Sequence, residues 1–249
     1  MHTKLSINLN KVALLRNQRQ MEYPCVLEAA RAIIDAGADG ITVHPRPDER
    51  HIKRQDTRQL SQLLRSEYNG SVEFNIEGYP SEDWIELVCE TRPDQATLVP
   101  DPPDARTSDH GWDLDANADF LKTVISRIKN AGIRVSVFVD CEPCAVRKAK
   151  ELGADRVELY TGPYGFAYGS AREEEELRKC REAGAAAKES GIGLNAGHDL
   201  NLHNLAKLRN GLPWLEEVSI GHAFTADALK WGYGAAVRAY LDELDPAET

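Results

Sequence analysis

The sequence lacks the features that place a chain in a membrane, on nucleic acid or outside the cell. No apolar run approaches the ~20 residues needed to span a bilayer, and the N-terminal segment MHTKLSINLN has no signal-peptide core. Lys and Arg number 30 against 40 Asp and Glu, a formal charge of -10, so the basic excess needed to bind nucleic acid or anionic lipid is missing. Five cysteines, an odd number, argue against a disulfide framework. We expect a cytoplasmic protein with neither nucleic acid nor a membrane as partner.

Several catalytic motifs are missing as well. The chain has no glycine-rich dinucleotide fingerprint, no H-x-x-x-H or H-E-x-x-H zinc spacing and no G-x-S-x-G nucleophile elbow. No predicted strand interior carries a lysine for a Schiff base, although Lys11 lies at the edge of the first strand. We therefore expect neither a metal nor an organic cofactor. A metal bound by His44, His198 and Asp140 stays open as an alternative.

Cys141 and Cys144 form a C-x-x-C motif at a strand-to-helix junction, a spacing that occurs in redox proteins. Thioredoxin-like folds are much shorter than this chain, and no second C-x-x-C is present to complete a zinc site. We interpret the two cysteines as incidental to function, though open to oxidation.

Short strand-like runs alternate along the whole chain with segments of helical period. The predicted strands are 5–10, 40–44, 72–76, 95–99, 134–140, 156–160, 193–196 and 217–220. The predicted helices are 24–36, 57–67, 81–91, 116–130, 145–152, 172–190, 202–210 and 225–241. Eight strand–helix units in 249 residues match a (β/α)8 TIM barrel better than an open doubly wound sheet. The sequence therefore predicts one α/β domain, a TIM barrel over residues 1–249.

Polar side chains follow most of the predicted strands, where TIM barrels carry their catalytic groups. Alternation along the strands turns the apolar residues outward to the helices and the polar residues, including His44 and Glu73, into the barrel. Burying such groups without a partner is costly, so a functional role explains them better than a structural one. His198 follows the seventh strand. We predict that His44, Glu73 and His198 are the acid and base groups.

Two further segments have the composition of anion sites. Arg46 and His51 lie in the loop after the second strand, where they could bind phosphate or carboxylate oxygens. The alternative is a solvated loop whose charges pair with Asp48 and Glu49. Gly221-His222 comes before the last helix, whose N-terminal N–H groups could hold a phosphate. These residues indicate proton transfer on a phosphorylated carbonyl or amine; another sugar-phosphate barrel enzyme and a non-catalytic binding barrel stay open.

Seven segments in this order resemble the pyridoxine 5'-phosphate synthase family of the deoxyxylulose-dependent vitamin B6 pathway. They are NLNKVALLRNQR, AGADGITVHPRPDERHI, EFNIEG, TLVPDPPDARTSDHGWD, RVELYTGPY, LNAGHDLNLHNL and EVSIGHA. The resemblance implies a TIM barrel with a few extra helices, a homo-octamer and a transferase that uses no metal or cofactor. The implied reaction condenses 3-amino-2-oxopropyl phosphate with 1-deoxy-D-xylulose 5-phosphate to pyridoxine 5'-phosphate, phosphate and water.

The resemblance also implies roles for individual residues. His44 would be a proton acceptor, Glu73 a second acid/base group and His198 a proton donor. The implied substrate contacts are Asn8, Asp199, Gly221 and His222 for the amino ketone, and Arg19, Arg46, His51 and Thr107 for the deoxyxylulose phosphate. Residues 100–115 would form a lid over the bound phosphate.

Two positions depart from the family pattern. Asn10-Lys11 stands where many members have Asp-His, which puts the roles of that pair in doubt and leaves Lys11 to bind phosphate. Asp199 replaces a more usual Gly, so its backbone N–H is the expected anion ligand rather than its side chain.

Overall fold

A closed barrel of eight parallel strands forms the centre of the protein, whose computed structural model describes residues 2–101, 105 and 108–245. The strands are β1 (Lys4–Asn8), β2 (Gly40–Val43), β3 (Glu73–Gly78), β4 (Gln95–Leu98), β5 (Arg134–Val139), β6 (Arg156–Tyr160), β7 (Gly193–Gly197) and β8 (Glu217–Ile220). Each strand pairs with the next along the chain, and β1 also pairs with β8. The predicted TIM barrel is therefore confirmed, and each predicted strand overlaps an observed one.

The helices lie around the barrel. They are α1 (Asn10–Arg16), α2 (Val26–Ile34), α3 (Arg54–Tyr68), α4 (Glu82–Thr91), α5 (Ala118–Asn130), α6 (Pro143–Glu151), α7 (Gly162–Ala167), α8 (Glu173–Ser190), α9 (Leu205–Gly211), α10 (His222–Trp231) and α11 (Tyr233–Leu244). The short helices α1 and α7 are additions to the predicted set. The predicted helix 225–241 is two helices, because Gly232 adopts a φ of 79° between them. Among the described residues, no helix is long and apolar enough to cross a membrane.

The barrel interior is polar, as the strand alternation predicts. Leu5 and Ile7 of β1 are fully buried among the apolar core residues. Ser6, between them, turns inward, and its hydroxyl lies 2.7 Å from that of Thr42. Hydrogen bonds between strands therefore replace the branched apolar layers that fill most barrels of this type.

Glu73 lies at the N-terminal mouth of the barrel, at the opposite end from the strand ends that carry His44 and His198. It is the first residue of β3, and its carboxylate accepts hydrogen bonds from Arg134 and from Lys4. Arg156 approaches the same carboxylate to 3.9 Å. The structure therefore places Glu73 apart from the two histidines, because β3 runs on for five residues beyond it.

A second carboxyl group shares this mouth with Glu73. Burial, together with the nearby charge of Glu73, raises the pKa of Glu217 well above its usual range. This rise favours the neutral form of Glu217, so the Glu73 carboxylate is the partner of the surrounding guanidinium groups.

Replacing Glu73 with Gln is expected to destabilise the fold by about 3 kcal/mol, because Arg134 and Arg156 lose a buried counter-charge. Urea unfolding at pH 7 measures the change. Glu82→Gln is the matched control, since its ion pair with Arg127 is exposed and worth less than about 1 kcal/mol. Equal losses in the two variants would contradict the structural role of Glu73.

Candidate active site

A cavity of about 450 Å³ opens at the C-terminal mouth of the barrel, and we call it the mouth cavity. Eight of the predicted site residues line it: Asn8, His44, Arg46, His51, His198, Asp199, Gly221 and His222. Three do not appear there. Glu73 lies at the other mouth, and Arg19 is exposed in the turn after α1. Thr107 lies outside the described residues, as do residues 102–104 and 106 of the predicted lid.

Glu77 occupies the position in the cavity that the sequence assigns to Glu73. It lies four residues farther along β3, and its Oε2 is 3.7 Å from Nδ1 of His44. Asn8 donates a hydrogen bond to the same oxygen at 3.3 Å. His44 is 5% exposed and Glu77 is 8% exposed, so this imidazole–carboxyl pair is largely shielded from water.

Burial shifts the two groups of this pair in opposite directions. It lowers the pKa of His44, and the neighbouring Arg46 lowers it further. It raises the pKa of Glu77, and the neighbouring Asp101 adds to that rise. At neutral pH the imidazole and the carboxyl group are therefore both uncharged. A neutral base then lies beside a neutral acid, an arrangement suited to moving protons.

Asn10 fixes the position of the His44 backbone. Its Oδ1 accepts the His44 N–H at 2.9 Å, and its own N–H donates to Oδ1 of Asn8 at 2.9 Å. A carboxamide oxygen accepts the His44 N–H as a carboxylate oxygen would. The replacement of the family's Asp by Asn10 therefore keeps this hydrogen-bond acceptor. Lys11, the other departure, lines the mouth cavity.

A second carboxyl group, that of Glu158, lies on the floor of the cavity and was not among the predicted site residues. Glu158 points inward from β6, and burial with the nearby Glu77 raises its pKa well above the usual range. A Cβ at position 197 would come within 2.2 Å of Glu158 Oε1. Gly197 therefore leaves the space that this carboxyl group occupies. The inward face of β6 was the signal for Glu158 in the sequence.

His198 reaches the cavity through a sharp turn at the end of β7. His198 and Asp199 adopt φ values of 76° and 58°, in the left-handed region that non-glycine residues seldom occupy. The Thr161 hydroxyl holds this turn, lying 2.6 Å from the carbonyl oxygens of both Gly197 and His198. Alternation along β7 alone would place the His198 side chain on the face that packs against the helices. The turn directs it into the mouth cavity instead.

Two aromatic rings pack against the His198 imidazole, with centroid distances of 5.3 Å to Phe138 and 5.6 Å to Tyr160. Burial in this setting lowers the pKa of His198. The ring is therefore neutral at physiological pH and has a fixed orientation.

Arg46 and His51 line the side of the cavity. Arg46 Nη2 lies 2.5 Å from Asp101 Oδ2, and the Ser108 hydroxyl donates to the same oxygen at 2.6 Å. The alternative of a solvated, internally paired loop holds for Arg50, whose Nε is 2.8 Å from Asp48, but not for the buried Arg46. His51 accepts the backbone N–H of Ile52 on Nδ1, which leaves the Nε2 proton available to a ligand.

The opposite side of the cavity is the start of α10. Gly221 precedes this ten-residue helix, and Gly221, His222 and Ala223 all line the cavity. A Cβ on Gly221 would lie 3.1 Å from Cβ of Asn8, so glycine allows the helix start to lie close to β1. N–H groups at such a helix start favour a bound anion.

Residues 2–101, 105 and 108–245 contain no group of three His, Cys, Asp or Glu side chains placed to hold a metal ion. His44, His198 and Asp140 thus do not form one. Asp140 instead accepts the Gly111 N–H at 3.0 Å, which fastens the segment before α5 to the barrel.

Comparison with known proteins identifies close relatives. The family model described as pyridoxal phosphate biosynthesis protein PdxJ matches residues 5–246. A pyridoxine 5'-phosphate synthase from Chelativorans sp. (strain BNC1) is 51% identical over 244 residues, covering 97% of this chain and 98% of that protein. A protein of the same name from Brucella abortus (strain S19) is 49% identical over 245 residues, covering 98% and 99%. Phosphoribosyl anthranilate isomerase from Thermus thermophilus shares the barrel fold alone, with a TM-score of 0.60 and 14% identity over 99% of this chain and 100% of its own.

Replacing Glu77 with Gln is expected to stabilise the fold, and the gain should grow with pH. An unfolded Glu ionises near pH 4.3, whereas burial raises the pKa of Glu77 to about 8. As the pH rises between these two values, ionisation of Glu77 stabilises the unfolded chain more and more relative to the folded protein. Urea unfolding should show a gain of about 1 kcal/mol at pH 5 that rises to about 4 to 5 kcal/mol at pH 8. Glu82→Gln is the exposed control, and a gain independent of pH would contradict the assignment.

Proposed function

This chain belongs to the family of pyridoxal phosphate biosynthesis protein PdxJ, and we propose that it acts as a pyridoxine 5'-phosphate synthase on two phosphorylated substrates. It condenses 3-amino-2-oxopropyl phosphate with 1-deoxy-D-xylulose 5-phosphate, and it releases pyridoxine 5'-phosphate, inorganic phosphate and water. It is a ring-closing transferase that works by general acid/base catalysis with neither metal nor organic cofactor. Its homo-octameric state and its cytoplasmic location stay predictions of the resemblance.

The observation that carries this proposal is the joining of proton-transfer groups and anion sites in one cavity. Imine formation, loss of phosphate, hydration, ring closure and aromatisation all require protons to be moved within one pocket. His44 and Glu77 lie 3.7 Å apart as a neutral base and a neutral acid, and His198 lines the same space. These three groups give the cavity several proton donors and acceptors.

His44 is the proton acceptor in this proposal, and His198, after taking up a proton in an earlier step, is the proton donor. Glu77 takes the second acid/base role, because its carboxyl group contacts the His44 imidazole. After His44 accepts a proton from one atom of the substrate, the neighbouring Glu77 can donate its own proton to another substrate atom, and the carboxylate that remains stabilises the imidazolium. Glu158, whose pKa is also raised, lines the same cavity and can donate one more proton.

The two substrate phosphates go to different sides of the cavity. The start of α10 at Gly221 and His222, with the Asp199 backbone N–H, binds the amino-ketone phosphate. Arg46 and His51 bind the deoxyxylulose phosphate, whose oxygens then compete with Asp101 for the Arg46 guanidinium. Asn8 contacts the amino ketone beside Glu77. Arg19 and Thr107 stay predicted contacts of the second phosphate, as residues 100–115 stay the predicted lid.

The decisive experiment compares two carboxyl groups of one strand. With both substrates and a chelator present, Glu77→Gln should lower kcat by about 10²- to 10⁴-fold, because the group beside His44 can no longer release a proton. Glu73→Gln should keep kcat within about threefold at a temperature where it is folded, since it lies at the other mouth. Absorbance of pyridoxine 5'-phosphate follows the reaction.

Other outcomes of that assay separate the alternatives. Loss of wild-type product in the chelator would contradict the metal-free mechanism. Binding of either substrate without any product would favour the non-catalytic barrel. Near-normal turnover in Glu77→Gln would show that this residue is structural.

Replacing Asp199 with Gly is expected to leave kcat and KM within about twofold and to stabilise the protein by up to about 1 kcal/mol, because glycine adopts the left-handed backbone of this position without strain. The exposed carboxylate contributes nothing to anion binding, and the backbone N–H is retained. Steady-state kinetics with varied amino ketone and a thermal melt measure the two effects. Asp199→Asn, which keeps a polar side chain without the charge, is the control; a several-fold rise in KM in both variants would assign the role to the carboxylate.

A further inference from the structure

Two thiols far apart in sequence lie in contact near the C-terminal mouth. Cys141, just after β5, has its Sγ 3.1 Å from Sγ of Cys180, which lies 39 positions later in α8. The Cys141 thiol also donates to the Tyr160 carbonyl oxygen at 3.5 Å. Cys180 is 1% exposed, whereas Cys141 is half-buried. Cys141 is therefore the more exposed residue of the pair, and the second sulfur lies in contact with its own.

The neighbour that the C-x-x-C motif suggests is not the one in contact. Cys144 is exposed in the first turn of α6, where its thiol lies 3.6 Å from the Glu142 carboxylate. A disulfide needs two sulfurs at about 2.05 Å, so Cys141 and Cys180 need to approach each other by only about 1 Å. The contact across the fold, rather than the sequence motif, supplies the reaction partner.

We propose that Cys141 and Cys180 form a peroxide-oxidised dithiol site that closes to a disulfide between the β5–α6 loop and α8. The Cys141 thiolate attacks one oxygen of hydrogen peroxide, and the O–O bond breaks. Hydroxide departs as the leaving group, and Cys141 becomes a sulfenic acid. The Cys180 sulfur, having released its proton, attacks the Cys141 sulfur, and the S–O bond breaks as water leaves. In total, two thiols lose two electrons and two protons, and one hydrogen peroxide becomes two water molecules.

The surroundings of the pair keep it reduced in the absence of strong oxidant. The hydrogen bond with Cys180 and burial raise the pKa of the Cys141 thiol, and the charges of Asp140 and Glu176 add to the rise. Because the thiolate is the species that reacts, oxidation is slow at neutral pH and faster in alkali. The site thus responds to sustained peroxide rather than to brief exposure.

The test is peptide mapping of the oxidised protein without reductant. Wild-type protein is treated with hydrogen peroxide at pH 8, its remaining thiols are blocked with iodoacetamide, and it is cut with a Glu-specific protease. Because a Glu-specific protease does not cut the Glu142–Pro143 bond, a prolyl endopeptidase is added, and its cleavage after Pro143 separates Cys141 from Cys144. Cleavage after Glu176 and Glu182 isolates the peptide of Cys180. Mass spectrometry should find the Cys141 peptide linked to the Cys180 peptide.

Two matched variants give the controls. Cys144→Ala should keep the link, whereas Cys180→Ala should abolish it and allow dimedone to label a sulfenic acid on Cys141. The oxidised wild-type protein should melt about 5 °C or more above the reduced protein, since the cross-link restricts the unfolded chain, and reductant should reverse the shift. Cys180→Ala should show no such shift.

Two results would overturn the proposal. One is a link between Cys141 and Cys144. The other is wild-type protein that retains both the Cys141 and the Cys180 thiols after peroxide has oxidised the exposed Cys144. Both are read from wild-type protein, so neither depends on the folding of a variant.

Discussion

Closure of the barrel by parallel strand pairing is the constraint on which the chemistry of this protein depends. Because all eight strands run the same way around a closed ring, the position of a residue along its strand decides which mouth it faces. Glu73 and Glu77 share the inward face of β3 and are separated by four steps of about 3.3 Å each. One consequently neutralises guanidinium groups at the N-terminal mouth, and the other lies beside His44 in the mouth cavity.

Burial gives the mouth cavity its reactivity and also makes it unfavourable for folding. His44, Glu77, Glu158 and His198 are all held toward their uncharged forms by removal from water. A neutral acid and a neutral base can donate and accept protons at neutral pH, but a carboxyl group kept neutral at physiological pH opposes folding. At the N-terminal mouth, by contrast, the buried Glu73 carboxylate is paired with guanidinium groups and supports the fold. The proposed function and the charge pairing that supports the fold thus lie at opposite ends of one set of strands.

Hydrophobic alternation and the strand-end rule were sufficient to predict the fold and the position of His44, because period and strand ends are local properties of sequence. The resemblance to the family was needed for other cavity residues, such as Asn8 and Asp199. Alternation could not separate Glu73 from Glu77, since a two-residue period places both on one face and does not locate the ends of β3. It also misplaced the face of His198, because the turn depends on a hydroxyl of Thr161 from another strand end. The Cys141–Cys180 contact and the Arg46–Asp101 pair join residues 39 and 55 positions apart, and no short sequence pattern encodes such contacts.

The hydrogen-bonded barrel interior has a thermodynamic consequence for the whole molecule. Pairs such as Ser6–Thr42, Asn75–Thr97 and Arg156–Asn195 occupy space that other barrels fill with valine, isoleucine and leucine. Exposure of apolar surface raises the heat capacity of a protein on unfolding, whereas exposure of polar surface lowers it. The strands of this barrel therefore contribute less to that heat-capacity change than an apolar interior would. A smaller change flattens the dependence of stability on temperature, so the fold loses less of its stability on either side of its optimum.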